Sequence, residues 1–172
     1  GAAVGKAFSE LFGGHSSLVL GKAKATKAAV VSSLAKTRYA HFATHGFFAP
    51  ETTKSAAEGG TRPESRGERE IVGWHPLLLS GLVLAGANRE PRAGEDGILT
   101  ALEVSEMDLT KLELAVLSAC ETGLGKVAGG EGLLGMQRAF AAAGVRSVVA
   151  SLWKVDDKAT QALMAQFYAS AW

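Results

Sequence analysis

Leu114-Ala115-Val116-Leu117-Ser118-Ala119-Cys120-Glu121-Thr122-Gly123 is the stretch on which the fold turns. Leu114 to Ala119 is apolar at almost every consecutive position, the mark of a short strand buried on both faces, and polar and glycine residues follow it. The chain's single cysteine closes this run, so its thiol is expected where a strand ends and a loop begins. A second run, Arg38-Tyr39-Ala40-His41-Phe42-Ala43-Thr44, has the same character and ends in His45-Gly46. In open α/β sheets ligands bind at the carboxyl ends of the strands. If these two strands are parallel neighbours, a thiol and an imidazole face one cleft.

Outward from these runs, strand and helix patterns alternate. Ser17 to Leu20 reads as a short strand. Thr26 reads as the N-cap of a helix to about Lys36, with Ala28, Ala29, Val31 and Leu34 as its apolar stripe. The strand ending at His45 comes next. From Pro50 to Gly73 the composition changes to Glu, Arg, Lys, Gly, Ser and Thr with almost no large apolar side chains, which cannot bury enough surface to order as core. A mobile loop over 50–73 is therefore expected, which either gates or receives substrate, because it follows His45 so closely, or is a tolerated surface insertion with no role. Leu77 to Ala85 is apolar again. A polar turn from Asn88 to Gly97 leads to a helix near Thr100, whose Glu103 completes a capping box. Beyond the cysteine, Gly129 to Gly132 opens a helix to about Ala143 that Gly144 ends. Ser147 to Leu152 forms another strand, and Asp156 or Asp157 begins a last helix. This alternation implies an α/β fold, its sheet mostly parallel and covered by helices on both faces.

Composition narrows the function classes. With 172 residues, the chain fits one domain over 1–172; it starts at Gly1 without methionine and stops at Trp172 inside a helical pattern, so a piece of a longer polypeptide is expected. A hydrophobic share of 47% with 20% charged residues is an ordinary globular balance, and a net charge of +1 gives no reason to expect nucleic acid or an anionic membrane as partner. One cysteine excludes an internal disulfide, and neither a signal peptide nor a membrane-spanning apolar run is present, so a reducing, cytoplasmic setting is expected. Four histidines and one cysteine form no zinc pattern; no metal and no organic cofactor are expected.

A thiol attacks as thiolate and needs a partner that takes its proton, and histidine is the side chain that titrates near neutrality. His45 is the best placed of the four. His41, four residues earlier on the same run, is expected on the same face deeper in the sheet as a core histidine, while His15 and His75 sit in polar or turn-like surroundings. Acyl transfer also needs donors aimed at a developing oxyanion, and Gly46, with no Cβ, lets its N–H approach a substrate; Gly46 and Cys120 N–H are the candidates. Glu121 reads as a solvated lip residue without a catalytic role. A rival class, a nucleotide-binding module, rests on Gly123-Leu124-Gly125-Lys126-Val127-Ala128, which matches G-x-G-x-x-A after a strand. Helical pattern resumes only after Gly130, and no acidic residue stands where ribose recognition needs it.

Ser118-Ala119-Cys120-Glu121-Thr122-Gly123 resembles the Gln-Ala-Cys-x-Gly signature of caspases, and Ala43-Thr44-His45-Gly46 resembles their His-Gly element. More closely, the chain resembles a CHAT domain, the bacterial caspase-like branch of the peptidases that include separase, gingipain and clostripain. The likeness runs from about Leu34 to Phe167, through Ser80 to Gly86, Asp96 to Ala101, Gly130 to Gly132 and Ser151 to Asp157. It implies a cysteine endopeptidase with a His45–Cys120 dyad, a thioester acyl-enzyme, and a protein or peptide substrate. Family members often carry tetratricopeptide repeats or other sensor modules, so such a partner is implied outside this window. In separase-like relatives an aspartate four residues after the matching tryptophan lines the pocket for a basic P1 side chain. Asp157 has that spacing from Trp153, although an aspartate at a helix start also caps backbone N–H groups. The alternative within the family is a catalytically silent caspase-like domain that serves protein interaction.

Overall fold

The structure, a computed structural model, describes residues 17–48, 75–90, 96–118, 120–121, 131–150 and 157–170. For residues 48, 76, 120, 121, 131–134 and 157 it describes the backbone alone. The expected loop over 50–73 lies outside the described residues.

Among the described residues the order is α1 (Lys27–Leu34), β1 (Tyr39–Phe42), β2 (His45–Phe48), β3 (Ser80–Val83), β4 (Ile98–Thr100), α2 (Ala101–Ser105), β5 (Leu114–Leu117), β6 (Cys120–Glu121), α3 (Glu131–Ala142), β7 (Ser147–Ala150) and α4 (Asp157–Ser170). Short 3-10 turns stand at Lys22–Lys24 and Pro76–Leu78. Ser17 to Leu20 is not a strand. With Leu18 and Val19 more than two-thirds exposed, it lacks the burial that would hold it in a sheet.

The caps read from sequence are present and set where helices begin. Thr26 accepts a hydrogen bond from Ala29 N–H at 3.3 Å. Thr100 and Glu103 satisfy each other's backbone donors in a reciprocal box. Gly144, at φ +94°, follows α3 in the left-handed conformation that ends helices. The buried side of α1 is carried by Val30 and Leu34, at 8% and 4% exposure, whereas Ala28 is exposed. The larger Val30 side chain, rather than the alanines, wins the core-facing position. At the start of α1, Lys27 Nζ lies 3.0 Å from Asp96 Oδ1 and also pairs with Glu103. Burial works against its charge, but hydrogen bonds to both carboxylates outweigh that and hold Lys27 above its ordinary range. The pair ties α1 to the β4–α2 junction.

β5 is central, parallel to β1 on one side and to β7 on the other. Its side chains alternate between two cores. Ala115 and Leu117 join a large cluster with Phe42, Leu99, Val104, Met136 and Phe140, while Val116 points the other way to Met164 and Tyr168 of α4. Helices thus cover both faces of the strand, as its unbroken apolar run predicts. The other strands form the order β4-β3-β2-β6, in which β2 and β6 are parallel and β3 is antiparallel to both β2 and β4. The fold is α/β with a mostly parallel, helix-covered sheet, and the antiparallel β3 and β4 lie beside the half that carries His45.

One correction concerns the run that contains His45. It is two strands rather than one: β1 ends at Phe42, the chain bends at Ala43-Thr44, and His45 begins β2 instead of ending a strand. The partner run does the same, since β5 ends at Leu117 and Cys120 begins β6. Both strands change sheet at the same level.

Candidate active site

The backbone brings the two chemistry-bearing residues together. β2 pairs with β6 in parallel, and His45 and Cys120 are register partners, as are Gly46 and Glu121. Register partners on neighbouring strands sit about 4.8 Å apart along the hydrogen-bonding direction. The pairing follows from the strands below it. Tyr39 pairs with Leu114 and His45 with Cys120, so the offset is 75 residues on both sides of the bend (114 minus 39, 120 minus 45). Neither strand gains or loses a residue at the break. The ladder runs up to the bend as well, because Ser118 N–H donates to Phe42 C=O at 2.9 Å.

His45 is exposed and Gly46 is buried. Across β2, His45 pairs with Val83 and Gly46 with Leu82 of the antiparallel neighbour β3. Just before the histidine, the Thr44 hydroxyl donates to Val83 C=O. Sequence reasoning passed over Thr44, although within Tyr39 to Phe48 it is the one polar side chain that is neither ring nor imidazole.

His41 belongs to a different strand from His45. It lies on β1, at register with Val116, and faces α4. Its Nδ1 is 2.7 Å from the Tyr168 hydroxyl, and the two rings are tilted at 54° with centroids 5.8 Å apart. Burial pushes the His41 imidazole down to about 4 and pushes the Tyr168 phenol up. A histidine kept neutral at pH 7 and held by a buried tyrosine is a core residue, as expected. The bend at Ala43-Thr44 removes the shared strand on which its alignment with His45 was argued.

Asp157 is the first residue of α4. Helix α4 begins after the segment 151–156 that follows β7, whose strand direction matches β5. β7 itself ends at the carboxyl edge of the parallel strands, the edge beyond which His45 and Cys120 lie. The two described surface cavities, of about 240 and 360 Å³, are elsewhere. One lies around Lys22, Thr26 and Arg89, the other between α1 and α2 over Val31, Leu99 and Met107. Neither is lined by His45 or its register partners. Among the described residues no cluster of His, Cys, Asp and Glu suits a metal ion, and no helix is long and apolar enough to cross a membrane.

A family description, CHAT domain, matches residues 3–171. The chain belongs to the CHAT domain family. That places it among caspase-like, cysteine-peptidase-related domains, in keeping with the parallel strands that deliver a histidine and a cysteine to one register position. This CHAT domain is also similar to tetratricopeptide repeat protein 28 of Mus musculus, 29% identical over 152 residues. The alignment covers 85% of the chain but only 6% of that protein.

Proposed function

We propose that this CHAT domain is a cysteine endopeptidase whose dyad is His45 and Cys120. The observation that carries the reading is the register pairing of the two residues on adjacent parallel strands. His45 takes the thiol proton, and the Cys120 sulfur forms a bond to the scissile carbonyl carbon. Charge then develops on the carbonyl oxygen, for which the N–H groups of Gly46 and Cys120 are the donors. Collapse breaks the C–N bond, and the leaving amine takes the proton from the imidazolium. Water, deprotonated by His45, then attacks the thioester, and the thiolate leaves and is reprotonated. No step in this scheme needs a metal or an organic cofactor.

Asp157 is our candidate for the wall of the P1 pocket, which its position at the start of α4 supports. A nucleophilic thiol has to stay reduced, so we place the domain in a reducing, cytoplasmic setting. The likeness to a tetratricopeptide repeat protein supports a repeat or sensor module as regulatory partner, acting on a protein or peptide substrate. The test is kinetic. Cys120→Ala and His45→Ala should each abolish cleavage in a peptide library without loss of fold, and the double variant should be no worse than either, because residues acting as a unit are non-additive. Full turnover by Cys120→Ala would refute the dyad assignment, whereas a wild-type domain that cleaves nothing in the library would leave the silent interaction domain as the reading.

A further inference from the structure

We infer that Thr44 is a positioning residue for His45, its hydroxyl tying the bend between β1 and β2 to the Val83 carbonyl of β3 and so setting where the imidazole stands. The inference rests on the proposed His45–Cys120 chemistry and deepens it. Three observations carry it. First, Ala43-Thr44 lies between two ladders, since β1 pairs with β5 only as far as Phe42 and β2 begins its pairing at His45. Second, His45 is itself exposed, so tight side-chain packing does not hold its ring and its orientation depends on the backbone beneath it. Third, the Thr44 hydroxyl donates to the carbonyl of Val83, the residue at register with His45 on the antiparallel side.

The anchor it grips is firm. Val83 also pairs with Ile98 of β4, Leu84 N–H donates to Gly97 C=O at 2.7 Å, and Ala85 N–H donates to Ala25 C=O at 2.9 Å. The threonine hydroxyl therefore adds a side-chain tie to the end of the β2–β3 ladder, where the backbone of the first strand has turned away to form the bend. Without it, the first residue of β2 frays from β3, and His45 moves relative to Cys120. Displacements of about 1 Å at a reacting group can cost about a hundredfold in rate.

The experiment compares Thr44→Val, which keeps the shape and removes the donor, with Thr44→Ser, which keeps the donor. His45→Ala is the control, and the readouts are peptide hydrolysis and the rate of Cys120 alkylation by iodoacetamide between pH 5 and 9. For Thr44→Val we expect kcat to fall tenfold to a hundredfold with KM unchanged, and the pH profile of alkylation to move toward that of His45→Ala. Thr44→Ser should stay within about twofold of wild type on both. An unchanged kcat and alkylation profile in Thr44→Val would overturn the inference while leaving the dyad intact. If His45→Ala also left the alkylation profile of Cys120 unmoved, the dyad itself would be refuted, which is a separable failure. Should Thr44→Val not fold, Thr44→Ala removes the donor with less crowding; if neither folds, Thr44 supports the fold and the positioning role is overturned.

Discussion

Inserting one glycine between Ser118 and Ala119 should silence the proposed peptidase, and inserting a second between Ala43 and Thr44 should restore it. Below the bend the offset between the strands is fixed at 75 by the pairing of β1 with β5, and above it the same 75 aligns His45 with Cys120. A single insertion makes the upper offset 76 while the lower one stays, so Cys120 slips one position along β6. Strand rise is about 3.3 Å and strand spacing about 4.8 Å, which takes the Cα separation from about 4.8 to about 5.8 Å. The larger effect is orientation: a one-residue slip turns each side chain to the opposite face of the sheet. Since about 1 Å of misplacement can cost a hundredfold, kcat/KM should fall at least that far in either single insertion. The paired insertion returns the upper offset to a match and should recover most of the rate. Peptide hydrolysis and iodoacetamide labelling of Cys120 are the assays, with melting temperature as the check on folding. Single insertions that keep more than half of the activity would show that the ladder does not set the pairing. So would a paired variant that melts like the wild type but stays inactive.

Three further outcomes are expected. Because burial lowers the His41 pKa from 6.5 to about 4, the stability this residue contributes is present above pH 6.5 and is lost as pH falls toward 4, on the order of 3 kcal/mol in all. His41→Gln, which does not titrate, should show a shallower loss over that window in thermal melts, and parallel profiles would dismiss the effect. Gly97→Ala should destabilise by about 3 kcal/mol or more in chemical denaturation, because φ is +68° there and an added Cβ would sit 2.2 Å from the Ala87 backbone nitrogen. Asp157→Asn should lower kcat/KM for substrates with Arg at P1 about thirtyfold or more, since breaking one side of a desolvated charge pair costs roughly 2–5 kcal/mol; a wild-type preference for Leu, Met or Asp at P1 would remove Asp157 from the pocket.

Local chemistry was legible in the sequence where a few neighbouring residues decide the structure. The Thr100–Glu103 box and the helix end at Gly144 each depend on interactions within one turn, and the last helix begins at one of the two aspartates expected to start it. The doubly buried β5 was legible because its apolar run has no polar interruption before Ser118. What could not be read depends on residues far apart in the chain. The bend after Phe42 leaves no trace in hydropathy, since Tyr39 to Phe48 is apolar or aromatic almost throughout, and it shows only in which strands pair on either side. The strand β4 is three residues that run straight into the cap of α2, too short for an alternating pattern to register. The partner that makes His41 a core residue, Tyr168, is 127 positions away. For the candidate site, sequence identified His45 and Cys120 as the pair to examine, but the matched offsets that align their backbones are a property of the sheet.

β5, enclosed by one cluster through Ala115 and Leu117 and by another through Val116, leads within three residues to the proposed nucleophile. Its amides should be among the slowest in the molecule to exchange with deuterium, opening only when the whole domain opens. The backbone under Cys120 then has no cheap way of loosening ahead of the rest. A regulator that silences the proposed peptidase then has to act on the segments around the dyad, because the strand below the thiol does not yield by itself.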